Sequence, residues 1–209
     1  MNVLVACEFS GVVRDAFIRA GHDAWSADLL PGQGEFSNRH IQGDVLSLLY
    51  GRTRRSVTDP RPVTWDLMIA HPPCTFLCNS GVRWLYHQGS TERFEPRWLD
   101  MERGAAFFRK LLNARVPRIA VENPVMHKYA TALIGVDFTQ SIQPWQFGTG
   151  ETKRTCLWLK NLPPLVPTDV VSGREPRVHH MSPGADRGLL RSITDPNIAA
   201  AMAAQWGIL

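Results

Sequence analysis

The sequence predicts an α/β protein in which a mostly parallel, doubly wound sheet is closed by an antiparallel C-terminal hairpin. Three observations predict it. Short apolar runs alternate with helix-period segments as far as Val121, the pattern of a parallel sheet with crossover helices. The pattern then changes, and two strand-like segments, Ser141 to Trp145 and Thr155 to Leu159, flank Gly148-Thr149-Gly150. Finally, four predicted strands end in polar or nucleophilic residues, where ligands bind in open sheets of this kind.

Val3 to Cys7 reads as the first strand, and Val12, Val13, Ala16, Phe17 and Ala20 follow at helical spacing until Gly21-His22. Ala24 to Leu29 is a second strand and His40 to Val45 a short third, with Leu46, Leu48 and Leu49 behind it. A basic loop follows, with Arg52, Arg54, Arg55 and Arg61 interrupted by Pro60 and Pro62. Asp66 to Ala70 is a buried-strand pattern that stops at Pro72-Pro73. Residues 74 to 96 show no period and read as a long functional loop. Leu99 to Leu112 is helical and Arg118 to Val121 is the next strand. Pro163 to Pro183 reads as irregular, and Asp195 to Gln205 as a closing alanine-rich helix.

A length of 209 residues, with 44% hydrophobic and 20% charged, predicts one domain spanning 1–209 with a real core. No apolar run approaches the roughly 20 residues a membrane span requires. Met1-Asn2-Val3-Leu4-Val5 lacks a basic leader, and Cys7, Cys74, Cys78 and Cys156 form no disulfide framework. The expected compartment is therefore the cytoplasm. The net charge is +4, and nineteen of the 23 basic residues are arginine. Arginine's planar fork suits phosphate and base contacts, although a GC-rich coding sequence gives the same bias.

Two short motifs carry chemistry. Pro72-Pro73-Cys74 ends a strand rigidly, since proline fixes φ and lacks an N–H, and it presents a thiol at the sheet edge. An inert cysteine in a proline turn is the bland alternative. Cys78 with His71 or His87 lacks a second ligand pair at zinc spacing, so no metal is expected. Val121-Glu122-Asn123-Pro124 puts a carboxyl and an amide at another strand end. There, burial beside Val121 and Val125 is expected to raise the Glu122 pKa and make it an acid. The alternative is a helix cap, Asn before Pro.

Pro73-Cys74 after one strand and Glu122-Asn123 after the next resemble the nucleophile and glutamate motifs of the DNA cytosine-C5 methyltransferases. The order of the other motifs is similar. Val3 to Gly11 stands where that family has its first cofactor motif, and Trp25-Ser26-Ala27-Asp28 resembles the stretch ending in its ribose-binding acid. Gly43-Asp44-Val45 resembles the motif that meets the adenine amino group. Asp66 to Gly81, with Asn79-Ser80-Gly81, resembles the long nucleophile motif, and Gln146-Phe147-Gly148 through Leu159 the Gln-x-Arg-x-Arg strand.

The resemblance implies a Rossmann-like S-adenosylmethionine-dependent methyltransferase fold. It implies Cys74, Glu122, Asn123 and Arg154 as catalytic residues. Glu8, Phe9, Ser10, Gly11, Asp28, Asp44 and Pro72 would hold S-adenosyl-L-methionine, and Asn79, Ser80, Arg83 and Lys153 would hold the substrate. The implied partner is nucleic acid, DNA foremost and single strands included, with no membrane. Several features depart from the family. Glu8-Phe9-Ser10-Gly11-Val12 replaces Phe-x-Gly-x-Gly, Thr155 stands at the second arginine, and Pro124 follows Glu-Asn. Between Lys160 and Arg191 only about thirty residues replace the target-recognition domain, a size far below that of a domain. This matches a compact, phage-like member, with a partner chain or oligomer supplying recognition. An amino-group methyltransferase, and an inactive nucleic-acid-binding remnant of the fold, stay open as alternatives.

Overall fold

The computed structural model describes residues 1–50, 54–56, 59–62 and 64–209; for Tyr50, 54–56, 59–62 and His179 the description is of the backbone alone. The strands are β1 (Asn2–Ala6), β2 (Asp23–Asp28), β3 (His40–Gln42), β4 (Arg54–Ser56), β5 (Asp59–Pro62), β6 (Leu67–Ala70), β7 (Arg118–Pro124), β8 (Gln140–Ile142) and β9 (Thr155–Lys160). The helices are α1 (Val12–Arg19), α2 (Val45–Tyr50), α3 (Glu95–Leu112), α4 (Lys128–Ile134), α5 (Arg177–His180), α6 (Arg187–Ser192) and α7 (Pro196–Trp206).

Seven strands form one sheet in the order β3-β2-β1-β6-β7-β9-β8, and β4 and β5 make a separate ribbon. The first five are mutually parallel, whereas β9 runs antiparallel to β7 and β8 antiparallel to β9. This is the Rossmann-like methyltransferase fold: a parallel sheet with a reversed hairpin at one edge. Continuous apolar runs such as Leu67–Ala70, buried throughout, are what a strand covered on both faces requires. The basic stretch expected to be a loop contains β4 and β5; Arg52 lies outside the described residues.

Each sheet face carries its own core. On one, α3 and α4 bring Trp98, Met101, Phe108, Leu111 and Ile134 against Leu4, Met68, Ile119 and Val121. On the other, α1 and α7 bring Val13, Phe17, Ile198, Met202 and Trp206 against Val3, Val5, Leu67 and Ala120. Ala199, Ala201 and Ala203 of α7 are buried, and such small side chains let the helix approach α1 closely. Asp195 caps α7, its Oδ1 accepting the N–H groups of Asn197 and Ile198.

Arg14, on α1, is fully buried. Its guanidinium meets Asp15 at 2.7 Å, Ser26 Oγ at 2.8 Å and the Gln33 carbonyl at 2.6 Å. It therefore clamps the loop after β2 onto α1. Gly11 enters that helix at φ 76°, and a Cβ there would lie 2.1 Å from the guanidinium. Packing around Arg14 therefore accounts for this glycine without any ligand.

The chain runs from β1 outward through β2 to β3, then returns to the other side of β1 as β6 and β7. The sheet thus reverses its winding between β1 and β6, and the carboxyl ends of those strands form the natural crevice.

Candidate active site

Three neighbouring strands deliver charged or nucleophilic groups toward that crevice: Glu8 follows β1, His71 to Cys74 follow β6, and Glu122 and Asn123 lie in β7 just before its last residue, Pro124. Backbone pairing continues past the strand ends, with the His71 N–H donating to the Ala6 carbonyl at 2.9 Å.

His71 Nδ1 lies 3.1 Å from Glu122 Oε2, and both side chains are largely enclosed, at 8% and 15% exposure. Burial alone pushes the Glu122 carboxyl upward. The hydrogen bond and charge of His71, the Lys153 ammonium and a hydrogen bond with Thr155 outweigh it and hold Glu122 below its ordinary value. The expected rise of the Glu122 pKa is thus corrected: its neighbours are polar and cationic as well as Val121 and Val125. His71 Nε2 is buried with no hydrogen-bond partner among the described residues.

Asn123 ties two motifs together. Its Nδ2–H donates to the Pro72 carbonyl at 2.8 Å, joining the end of β7 to the Pro-Pro-Cys loop. Pro124 still belongs to β7, and the cap of α4 is His127, so Asn123 does not act as a helix cap. Cys74 is partly exposed beyond Pro73, and Cys78 is buried. The Cys74 thiol is pushed up by its hydrogen bond with Cys78, by burial and by the charges of Cys78 and Glu122.

Lys153 and Thr155 act on Glu122. Arg154, expected beside them, bonds Ser141 Oγ through Nε at 3.0 Å and lies over Phe138 at the outer edge. Arg154 thus bonds β8, whereas the groups acting on Glu122 from this segment are Lys153 and Thr155. Lys153 is anchored by a 2.8 Å bond from Nζ to the Ile193 carbonyl.

Asp28 and Asp44 converge beside Cys7, which turns at the end of β1 with φ 58°. Burial, followed by these two carboxylates, pushes the Cys7 thiol up to about 12. Asp28 Oδ1 accepts the Leu30 N–H at 2.9 Å and Asp44 Oδ1 the Leu46 N–H at 3.0 Å, leaving a second oxygen on each for a ligand. Leu29, next to Asp28, is 73% exposed. The first loop differs from its expected role. Glu8 accepts the N–H groups of Val13 at 2.7 Å and Arg14 at 3.2 Å, so its carboxylate caps α1. Phe9 is buried, and Ser10 Oγ sits 3.4 Å from Glu8 Oε1. Ser10 also lines a cleft of about 580 Å³ between α1 and α7, which contains none of Cys74, Glu122, Asp28 or Asp44.

No family model matches the sequence, and no curated protein matches it. Solved structures with a similar arrangement include a putative DNA modification methyltransferase encoded within an E. coli prophage. Its identity is 14% and its TM-score 0.47, over 82% of this chain and 52% of that one. The methyltransferase EhMeth of Entamoeba histolytica is 13% identical with a TM-score of 0.42, over 82% of this chain and 57% of its own. A DNMT2 variant from Spodoptera frugiperda is 14% identical with a TM-score of 0.37, over 84% and 54%. The chain spans about half the length of these structures.

The loop after Cys74 contains a 3-10 helix, Asn79–Leu85. Asn79 and Ser80 are exposed at its start, and Arg83 lies over the ring of Trp84, which is 56% exposed. Trp98 faces inward: its Nε1–H donates to the Leu85 carbonyl at 2.7 Å, and Arg93 covers its ring at 4.0 Å. His71, Thr155 and the environment of Cys78 are the features the sequence reading did not assign. A histidine three residues before the cysteine, on the strand next to the glutamate, was the available signal.

Proposed function

We propose that the protein is an S-adenosylmethionine-dependent methyltransferase acting on carbon 5 of cytosine in DNA through a covalent cysteine adduct. The observation that carries this reading is the Asn123–Pro72 hydrogen bond. It fastens the loop of a partly exposed thiol to the strand end that bears a buried carboxyl. Carbon 5 of cytosine is a poor nucleophile. Attack by a thiolate on carbon 6 makes carbon 5 nucleophilic, and this needs a thiol and a carboxyl on opposite sides of one small ring.

In this reading, Cys74 Sγ forms the bond to carbon 6 and Glu122 meets nitrogen 3 and the amino group. Glu122 rests as a carboxylate. A base sealing the crevice removes water from it and favours the protonated form, which offsets charge developing in the ring. His71, Lys153 and Thr155 fix its orientation. Asp28 and Asp44 offer acceptors to ribose and adenine, and exposed Leu29 an apolar contact. They fit the nucleoside of S-adenosylmethionine, which when bound supplies an electrophilic methyl group. The target base must be unstacked to expose carbon 6.

The test is a 5-fluorocytosine oligonucleotide with cofactor, because fluorine at carbon 5 blocks release by elimination. A denaturation-stable adduct on Cys74 is expected, and none in Cys74→Ser. An adduct elsewhere, or full methylation by Cys74→Ser, would sink the reading. The capped α1 amides and filled Gly11 favour one second reading, a nucleic-acid-binding protein with no cofactor site. Calorimetry with S-adenosylmethionine separates the two.

A further inference from the structure

The turn that begins at Cys74 is held by its backbone carbonyls, one after another. The Cys74 carbonyl accepts the N–H groups of Leu77 and Cys78, each at 3.0 Å, and so closes one helical turn. The Thr75 carbonyl accepts a hydrogen bond from Arg97 Nη2 at 2.8 Å. The Phe76 carbonyl lies 3.4 Å from His127 Nε2, and the Leu77 carbonyl accepts the His127 N–H at 3.1 Å. His127 Nδ1 accepts the Ala130 N–H at 3.2 Å, so its ring proton sits on Nε2, facing Phe76. Arg97 comes from the first turn of α3 and His127 from the cap of α4. The Asn123 bond to the Pro72 carbonyl fixes the chain ahead of Cys74.

Arg97 differs from the other anchors in having a place built for it. Its guanidinium lies over the Phe76 ring, 4.3 Å from the centroid, and its Nε is buried. Gly81 closes the other side: a Cβ there would stand 2.7 Å from the Thr75 carbonyl oxygen and 2.8 Å from Arg97 Nη2. No side chain fits that gap unless the Thr75 carbonyl moves, and a backbone group cannot swing aside as a side chain can. Thr75 is exposed, so water competes for its carbonyl. The stack on Phe76 presents the planar guanidinium to that oxygen with little freedom left to lose, which offsets the competition.

We propose that Arg97 is a positioning residue for Cys74, aiming the thiol by holding the carbonyl that follows it, and that position 81 is glycine to admit that bond. The proposal rests on Cys74 being the nucleophile, as proposed above. A sulfur attacking carbon 6 must approach one face of the ring, and a displacement of about 1 Å at the attacking atom costs about a hundredfold in rate. An arginine beside a nucleic-acid crevice has another obvious use, a phosphate contact, and the two roles make different predictions. A phosphate contact acts on binding and on its salt dependence. A held carbonyl acts on kcat.

Arg97→Met keeps a stem over Phe76 and removes the donor. On a cytosine oligonucleotide it should lower kcat by about ten- to a hundredfold, with KM, the salt dependence of binding and the melting temperature little changed. Arg97→Lys, which can still donate, should recover part of the loss. Gly81→Ala should reproduce the defect from the opposite side. The double variant Arg97→Met with Gly81→Ala should be no slower than the worse single one, because both break the same contact. Hydrogen exchange gives a readout that needs no reaction: the Leu77 and Cys78 amides should exchange faster in Arg97→Met than in the wild type, and the β7 amides should not. Unchanged exchange at Leu77 and Cys78, an unchanged kcat, a raised KM with a flatter salt slope, or additive losses in the double variant would each overturn the proposal. A wild type that forms no fluorocytosine adduct would refute the cytosine reading instead, and the exchange rates would then decide the Arg97 hold on their own.

Discussion

Glu122 is pulled two ways, by burial toward the neutral acid and by His71, Lys153 and Thr155 toward the carboxylate, and the second pull wins. A carboxyl with a depressed folded value stabilises the protein above its unfolded value, and that stability is lost as pH falls through the folded one. Replacing His71 removes the largest opposing contribution. We expect His71→Ala to raise the Glu122 titration, followed by carboxyl NMR, and to move acid unfolding to higher pH. A Glu122 titration unchanged in that variant would leave Lys153 and Thr155 as its only partners. The position of Cys74 and Glu122 at the ends of neighbouring strands was legible in the sequence, because proline pairs and strand ends are local signals. His71 and Thr155 were not, since their roles depend on which strands become neighbours. The direction of the Glu122 shift was missed for the same reason: adjacent Val121 and Val125 are visible in sequence, and a histidine fifty-one positions away is not.

At the scale of elements, α1, β6, β9 and α7 lie where their patterns put them; β8 stops at Ile142, short of the expected Trp145, because Pro144 opens a 3-10 helix over Pro144–Gln146. Helix α3 begins at Glu95, before the apolar period does, because Pro96 suits a first helical turn. Helix α4 went unread: seven residues are too few to display a period. The loop between Cys74 and α3 divides into two kinds of residue that look alike in sequence. Arg83, Trp84 and Arg93 are all exposed, but Arg93 lies over the buried ring of Trp98 and Arg83 over the exposed ring of Trp84. If this loop holds single strands by stacking and phosphate contact, Trp84→Ala should cost about 1–3 kcal/mol of binding. Arg83→Ala should flatten the salt dependence by about one phosphate contact. Arg93→Ala should lower the melting temperature and alter the salt slope less. Equal effects on the slope from Arg83 and Arg93 would show that both face the nucleic acid.

For the molecule as a whole, the missing surface matters most. Between β9 and α7 the chain makes only α5, α6 and loops that lean on the hairpin, as in the bridges Phe147–Asp169 and Glu151–Glu175. Flipping a base from a duplex costs a few kcal/mol, and a protein offsets this with contacts across both grooves. On the proposed reading, the isolated chain should modify single-stranded cytosines faster than duplex ones, with little dependence on flanking sequence. Site-specific modification of duplex DNA by a monomer would contradict this, and the same activity in an oligomer would locate the missing contacts in a second copy.

The buried Arg14 has a consequence in time as well as in space. The loop after β2 is held at three points: the Gln33 carbonyl on Arg14, the Gln33 N–H on the Phe9 carbonyl at 2.8 Å, and the Glu35 N–H on Asp15 Oδ2 at 2.8 Å. Surface loops normally exchange their amide hydrogens through small, frequent openings. Here the Glu35 amide is held by Asp15 of α1, and the Gln33 amide by the Phe9 carbonyl just before that helix. Their hydrogen-exchange rates should match those of the α1 amides and rise together with them in Arg14→Met. Rapid exchange at Gln33 and Glu35 in the wild type would show that the clamp opens independently of the helix. If the rates do match, the rim of the crevice beside Asp28 is as long-lived as the core beneath it.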